Sequence, residues 1–217
     1  MTEITYPKSL SPRVIDIQLI GSTRSLTRSI NGFVQVASAS TKHWMVTYEF
    51  ANLKKPEVQV FRAFVARMEG RLNYTNLPIW DKELGSDFVG LTTSHSDDTL
   101  FSDDSSYTSD GIINEVVTGT LGVKQLTVDF SELPGALKEG QYFGIEQQLY
   151  LCTEIISDVS NILTFRFEPS LRKSYTSADL RLCPVLQVRL STDETGQLPL
   201  DLGITGAPVL SFEEYIG

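Results

Sequence analysis

The chain has 217 residues and a mass of 24.2 kDa, with 41% hydrophobic and 21% charged residues and a mean hydropathy of −0.06. This is the profile of an ordinary globular protein rather than a disordered, collagenous or membrane one, and a chain of this size buries roughly 70% of its unfolded surface without needing a disulfide or a metal. The formal charge of −9 and the pI near 4.7 argue against a grip on nucleic acid, which requires a basic surface to displace counterions from phosphates.

The total charge hides an asymmetry. Residues 1 to 72 carry ten Lys or Arg against five Asp or Glu, a balance of +5, whereas residues 73 to 217 carry eight against twenty-two, a balance of −14. Two solvated faces of one monomer fit this split; so does association between unlike faces, because complementary potential steers encounter and sets register. Two cysteines, Cys152 and Cys183, are too few for a disulfide framework and lie in apolar, strand-like runs, so both are expected as buried thiols. The first ten residues lack the basic and then apolar pattern of a secretory signal, and no apolar run approaches the roughly 18 residues of a membrane span. Synthesis in a cytosol-like compartment and no membrane insertion are therefore expected.

In chain order, Arg24 to Phe50 reads as a β-hairpin. Ile30, Val34 and Val36 lead into a polar turn at Ser38 to Lys42, after which Trp44, Val46, Tyr48 and Phe50 alternate with Met45, Thr47 and Glu49. Pro56 suits a first helical position, and Val58, Phe61, Phe64, Val65 and Met68 recur at helical spacing until Gly70 stops the run. The apolar stripe of that helix needs a sheet to dock on, and the preceding hairpin, with Trp44 and Phe61 in a shared core, is the nearest candidate. Arg71 to Trp80 is expected to be extended, with Pro78 marking an edge or a strand end.

Residues 91 to 110 differ in kind: fifteen of the twenty are Ser, Thr or Asp, too polar to bury enough surface for strong ordering. Beyond them come short strands at Ile112 to Val117, Gln125 to Phe130, Tyr142 to Ile145, Leu149 to Ile156, Ile162 to Phe167 and Leu180 to Leu190, the spacing of a small barrel or sandwich. In Gln125 to Phe130 the apolar face is Leu126, Val128 and Phe130. Ala207 to Ile216 is placed to return as a final strand of the first sheet.

No catalytic constellation stands out. His43 and His95, the two histidines, fit no zinc-ligand spacing, and no nucleophile elbow, P-loop or dinucleotide fingerprint occurs. A calcium loop starting at Asp103 fails at its sixth position, Thr108, and at its twelfth, Asn114. No paired carboxylates stand in the context of a glycosidase. Trp80, Phe88, Phe101 and Tyr107 flank the polar stretch and suit either a sugar-stacking platform or anchoring of the loop. No catalytic, cofactor-binding or metal-binding residue is assigned, and the protein is not expected to be an enzyme.

The order of these pieces resembles the distal tail proteins of long-tailed bacteriophages and related prophages. In that family a Trp-bearing strand is followed by a helix ending A-F-x-A-x-x-x-G-R and by an N-x-[FY]-x-L-P-like segment. Here these are Trp44, the run Ala63-Phe64-Val65-Ala66-Arg67-Met68-Glu69-Gly70-Arg71, and Asn73-Tyr74-Thr75-Asn76-Leu77-Pro78. Downstream the family carries G-[DQ]-x-[FL]-x-[IV], an L-Y strand and a P-x-L-R stop, matched by Gly140-Gln141-Tyr142-Phe143-Gly144-Ile145, Leu149-Tyr150 and Pro169-Ser170-Leu171-Arg172. The likeness runs from about residue 30 to 175. It departs at Lys55-Pro56, where a Ser or Thr cap is frequent, at Pro169-Ser170, where Pro-Pro is usual, and in the length of the Ser/Asp stretch.

The resemblance implies a mainly β structural protein of the virion tail. Residues 1–85 with 201–217 would form a helix-bearing β-sandwich ring domain, and 86–200 an inserted small β-barrel, OB-like or galectin-like. The ring, commonly a hexamer, would join the tail tube protein to the tail-tip or baseplate hub protein, with DNA passing through it without specific binding. A heterologous contact closes such a ring, and open strand edges are natural places for one. Trp44, Tyr48, Lys54, Lys55, Arg62 and Arg67 are expected at or beside the subunit interface, with Arg24 and Arg28 adding positive charge. The alternatives are a carbohydrate-binding or adhesion module of the tail tip and another tube-end structural protein.

Overall fold

In a computed structural model of the chain, the described residues are 1–21, 42–79, 117–131, 135–200 and 205–216, together with the backbone of five short strands between them. The fold is mainly β, with one helix among the described residues and two principal antiparallel sheets, the make-up expected of a helix-bearing β-sandwich. The chain divides into two compact units, 1–77 with 187–217 and 78–186.

The first unit holds β1 (Val14–Ile20), β2 (Thr23–Ser25), β3 (Val36–Ser38), β4 (His43–Glu49), α1 (Lys55–Met68) and β5 (Thr75–Pro78). The second holds β6 (Thr92–Thr93), β7 (Tyr107–Thr108), β8 (Ile112–Ile113), β9 (Gln125–Asp129), β10 (Tyr142–Ile145), β11 (Gln148–Val159), β12 (Ile162–Glu168) and β13 (Leu180–Arg181). The chain then enters β14 (Val185–Leu190) and β15 (Val209–Glu214), which complete the five-stranded sheet β1-β4-β15-β14-β5. The divisions fall at 77/78 and 186/187 rather than at 85/86 and 200/201, because β14 pairs with β15 at Val188↔Glu214, Arg189↔Glu213 and Leu190↔Phe212.

The alternation expected around Trp44 is present: Trp44, Val46 and Tyr48 are buried and the residues between them are not. The expected hairpin pairing is not. β4 is a central strand, hydrogen-bonded to β1 on one side and β15 on the other. It therefore has no free side for the strand before it, and β3 pairs instead with β2. Ile30 and Val34 lie outside the described residues. β15 arrives as the sequence suggests, with Leu210 and Phe212 buried and Phe212 opposite Val46.

The helix begins as its composition dictates. Pro56 occupies the first turn, and the Glu57 carboxylate turns back to accept the Lys54 backbone N–H at 2.8 Å, supplying half of a capping box. Val58, Phe61, Phe64 and Met68 are buried, and Val65 is half-buried. Phe61 meets Phe50 edge-on at 5.6 Å, Phe50 meets Tyr48 at 6.5 Å, and Tyr6 bridges Tyr48 and Phe64 at 6.1 and 5.5 Å. Aromatic edge-to-face contacts of this kind knit helix, sheet and N-terminal segment into one core.

Beyond the last turn Glu69 and Gly70 both adopt positive φ, 49° and 63°. Asn73 then closes the helix end, its side-chain amide donating to Arg67 O at 3.0 Å while its carbonyl oxygen accepts the Thr2 N–H at 2.9 Å. A Cβ built on Gly70 would lie 2.4 Å from Asp193 Oδ1, the atom that accepts the Arg71 N–H at 3.0 Å. Gly70→Ala should therefore cost about 2 to 3 kcal/mol, from left-handed backbone strain plus loss of that contact. Gly122→Ala, at φ 85° with nothing within 4 Å, should cost only about 1 kcal/mol. Urea midpoints of the two variants check the difference.

In the second unit the sheet order is β8-β13-β10-β11-β12-β9. Leu126, Val128 and Phe130 face its core as expected, joined by Phe143, Tyr150, Cys152, Phe165 and Phe167. β11 and β12 form a hairpin closed by Ser160 and Asn161, both at positive φ, the conformation of a two-residue type I′ turn. The run Leu180 to Leu190, expected as one strand, is two strands in different sheets; Pro184, without an N–H, interrupts it.

Candidate interaction surface

The two edges of the five-stranded sheet differ. β5 ends in Pro78, and the N-terminal segment lies along its start: Glu3 bridges Tyr74 in parallel, the Ile4 N–H donates to Tyr74 O at 2.8 Å, and the Tyr74 N–H donates to Thr2 O at 3.3 Å. β1, at the other edge, pairs with β4 and with no further strand among the described residues. Its residues Ile15, Ile17 and Leu19 stand opposite Tyr48, Val46 and Trp44 and share their face. The β4 partners are essentially solvent-free, yet Ile15, Ile17 and Leu19 are only half-buried. Among the described residues the apolar layer thus runs out to an edge with no further strand, the kind of feature a sheet uses to accept a neighbour.

The outer side of α1 is the second surface. Lys55, Gln59, Arg62 and Ala66 follow one another at helical spacing and are exposed, with Ala63 and Arg67 beside them and Lys54 at the cap. Of the six expected interface residues, Lys54, Lys55, Arg62 and Arg67 therefore share one exposed face. Trp44 and Tyr48 do not join them: at 1% and 0% exposure their side chains belong to the unit's own core, because β4 is a central strand and the rings of Tyr6, Phe50 and Phe212 surround Tyr48. Burial pushes the Tyr48 hydroxyl well above the ordinary tyrosine range, and an ionised Tyr6 beside it adds to the effect. Nothing is described of the Arg24 side chain, and Arg28 lies outside the described residues.

The sequence reading missed β1 altogether, although Ile15, Ile17 and Leu19 alternate with Asp16 and Gln18 as clearly as the residues of β4. It also missed the ion chain at the end of the helix, where Glu213 takes Arg71 at 2.7 Å and Arg189 at 3.7 Å. That chain gives the Gly70-Arg71 pair a structural reason: the glycine permits the turn and the arginine fastens it to β15.

In the second unit a cleft of about 230 Å³ opens between the β11–β12 hairpin and the segment before β10. Phe130, Leu137 and Leu163 form its floor, with Lys138 and Asp158 among the remaining lining residues. Val159 and Ile162, paired at the hairpin tip, are exposed at 67% and 46%. Trp80, Phe88, Phe101 and the Tyr107 side chain, the expected sugar platform, lie outside the described residues, as does His95. Among the described residues no group of three or more His, Cys, Asp or Glu is placed to hold a metal ion, and no helix is long and apolar enough to cross a membrane.

The thiols part company. Cys152 is buried, but Cys183 is exposed, since the break before Pro184 lifts it out of the strand pattern. Burial raises the Cys152 thiol to about 11, which keeps it protonated and unreactive at neutral pH. One thiol per folded chain should react rapidly with an aromatic disulfide reagent, and Cys183→Ser should abolish that fast phase. Comparison with known proteins adds no relative: no family model matches the chain, and neither does any curated protein.

Proposed function

We propose that the chain is a structural protein of a bacteriophage tail, the subunit of a ring, commonly hexameric, that joins the tail tube to the tail-tip or baseplate hub. On this reading the first unit forms the ring and the second is the inserted barrel displayed on it, resident in the virion. The observation that carries the reading is the pair of unlike edges on the five-stranded sheet, β5 with the N-terminal segment along its start and β1 with a half-buried apolar row and no further strand beside it among the described residues. Unlike surfaces make heterologous contacts, and such contacts close into a ring when the rotation between subunits divides the circle.

The ordered motifs support the same reading, because they sit where the fold turns. Gly70 and Arg71 fasten the helix end. At Gly140, φ is 83°, and the Gln141 side chain accepts the Lys138 N–H at 2.9 Å. Leu171 is buried and its N–H donates to Val123 O at 2.9 Å. Native mass spectrometry of the purified protein, with negative-stain microscopy, tests the proposal. Closed particles with a central opening are expected, six copies weighing about 145 kDa from a 24.2 kDa subunit. A protein that stays monomeric at the highest concentration reached, alone and mixed with its neighbouring tail proteins, would overturn it.

A further inference from the structure

We propose that two free copies of this chain pair edge to edge through β1, antiparallel about a twofold axis at Ile17. Among the described residues β1 (Val14–Ile20) has β4 on one side and no strand on the other, with Ile15, Ile17 and Leu19 half-buried along it. The strand also reads the same in both directions by chemical type. With Ile17 set opposite Ile17 of the second copy, Ile15 meets Leu19, Asp16 meets Gln18 and Val14 meets Ile20. The apolar row shared with Trp44, Val46 and Tyr48 then continues across the joint. On the other face each Asp16 carboxylate meets a Gln18 amide, the donor it already takes within its own strand at 2.7 Å. Val14, 40% exposed, gains an apolar neighbour.

The same residues exclude other pairings. A one-residue slip sets the apolar row against the polar one. A two-residue slip places Asp16 opposite Asp16 in one direction and opposite Ile20 in the other, and parallel pairing in register also sets Asp16 beside itself; like charges directly opposite are destabilising. The remaining described edges fit less well. β5 has four residues, ends in Pro78 and carries the N-terminal segment along its start. β9 is the outer strand of the second sheet, but with Val128 or Leu126 opposite Ile17 its Asp129 falls opposite Asp16 or Val14. A second β1 is therefore the best-matched strand. A twofold contact closes at two copies, so this one goes beyond the ring reading: it covers the edge in free chains, and ring assembly exchanges it for a contact between unlike surfaces.

Cysteine pairing reads the register directly, because opposed residues of an antiparallel pair have Cα atoms about 4.5 to 5.5 Å apart, within reach of a disulfide. A Cys183→Ser background removes the exposed thiol. Under mild oxidation Ile17→Cys should link to itself, giving a species of about 48 kDa from 24.2 kDa chains. Ile15→Cys and Leu19→Cys should each stay single alone and link when mixed. Circular dichroism checks that the variants fold, and a mixture of Val14→Cys with Ile20→Cys replaces any that do not. In sedimentation Gln18→Glu should weaken the dimer about tenfold by setting a second carboxylate against each Asp16, and adding Asp16→Asn should restore it. A chain that links in none of these combinations, or links Ile15→Cys to itself as readily as to Leu19→Cys, overturns the contact. If closed rings form without these links, the contact falls and the ring reading stands; if linked dimers form and no rings do, alone or with neighbouring tail proteins, the contact stands and the ring reading falls.

Discussion

Phe143→Ala should destabilise the second unit by about 3 to 5 kcal/mol, a large share of the 5 to 15 kcal/mol that holds a typical domain. The ring is solvent-free and packs against three other aromatics. It stacks on Tyr150 at 5.6 Å and meets Phe165 and Phe167 edge-on at 5.4 and 5.8 Å, while Tyr150 and Phe167 touch at 5.3 Å. Truncation removes the buried surface and three ring contacts together, and the partners come from β11 and β12, which are held in register with β10 and cannot collapse into the hole without breaking it. At a urea slope of about 2 kcal/mol per molar, the midpoint of this unit should fall by roughly 2 M. Phe143→Leu should cost about half as much. Ile162→Ala, at an exposed position on the hairpin tip, should cost under about 1 kcal/mol. Equal midpoints for Phe143→Ala and Ile162→Ala would show that the aromatic group does not hold the unit.

Much of this architecture is legible in the sequence, and the boundary between what is and is not has a physical cause. Strand and helix character are local properties. The spacing of Val58, Phe61, Phe64 and Met68 between Pro56 and Gly70 fixes a helix, and the alternation of Leu126, Val128 and Phe130 fixes a strand and its buried face. Pairing is not local. Trp44, Val46 and Tyr48 mark a half-buried strand whatever lies beside it, so nearness in sequence suggested the residues before it as partner, whereas β1 and β15 take the two sides. Where a break was visible, at Pro184, the apolar residues on both sides of it outweighed the missing N–H, and two strands read as one.

The interface candidates divide along the same line. Lys55, Arg62 and Arg67 are legible as exposed because they lie opposite the apolar stripe of an amphipathic helix. An aromatic at an alternating position reads the same whether it faces a core or a partner, since both are apolar contacts, and only the central placement of β4 assigns Trp44 and Tyr48 to the core. The edge position of β1 in the described sheet had no signal to find: being an edge is a property of sheet order, not of the residues in the strand.

Alkaline pH should unfold the protein steeply, and the tyrosines are the reason. Burial raises Tyr6, Tyr48 and Tyr175 well above the ordinary value of 10.0, with Tyr150 and Glu146 adding to the effect on Tyr175, and burial raises the Cys152 thiol to about 11. The Tyr6 hydroxyl also donates to Leu10 O at 2.8 Å, a bond that its ionised form cannot make. Each of these groups holds its proton in the folded chain at pH values where the unfolded chain has released it. Their contribution to stability is therefore complete below about pH 9 and is lost as pH rises through their folded values, at up to about 1.4 kcal/mol per pH unit for each fully responding group. Each unit holds two such groups, Tyr6 with Tyr48 in the first and Cys152 with Tyr175 in the second, and two acting together remove up to about 3 kcal/mol per pH unit, enough to exhaust a modest domain's stability within a few pH units. Tyrosinate absorbance from Tyr6, Tyr48 and Tyr175 should then rise only as circular dichroism is lost. Tyr48→Phe should move the unfolding midpoint of the first unit to higher pH, because it removes a proton that only the unfolded chain gives up. Smooth titration of all eight tyrosines near pH 10 with the fold intact would refute this account of the core.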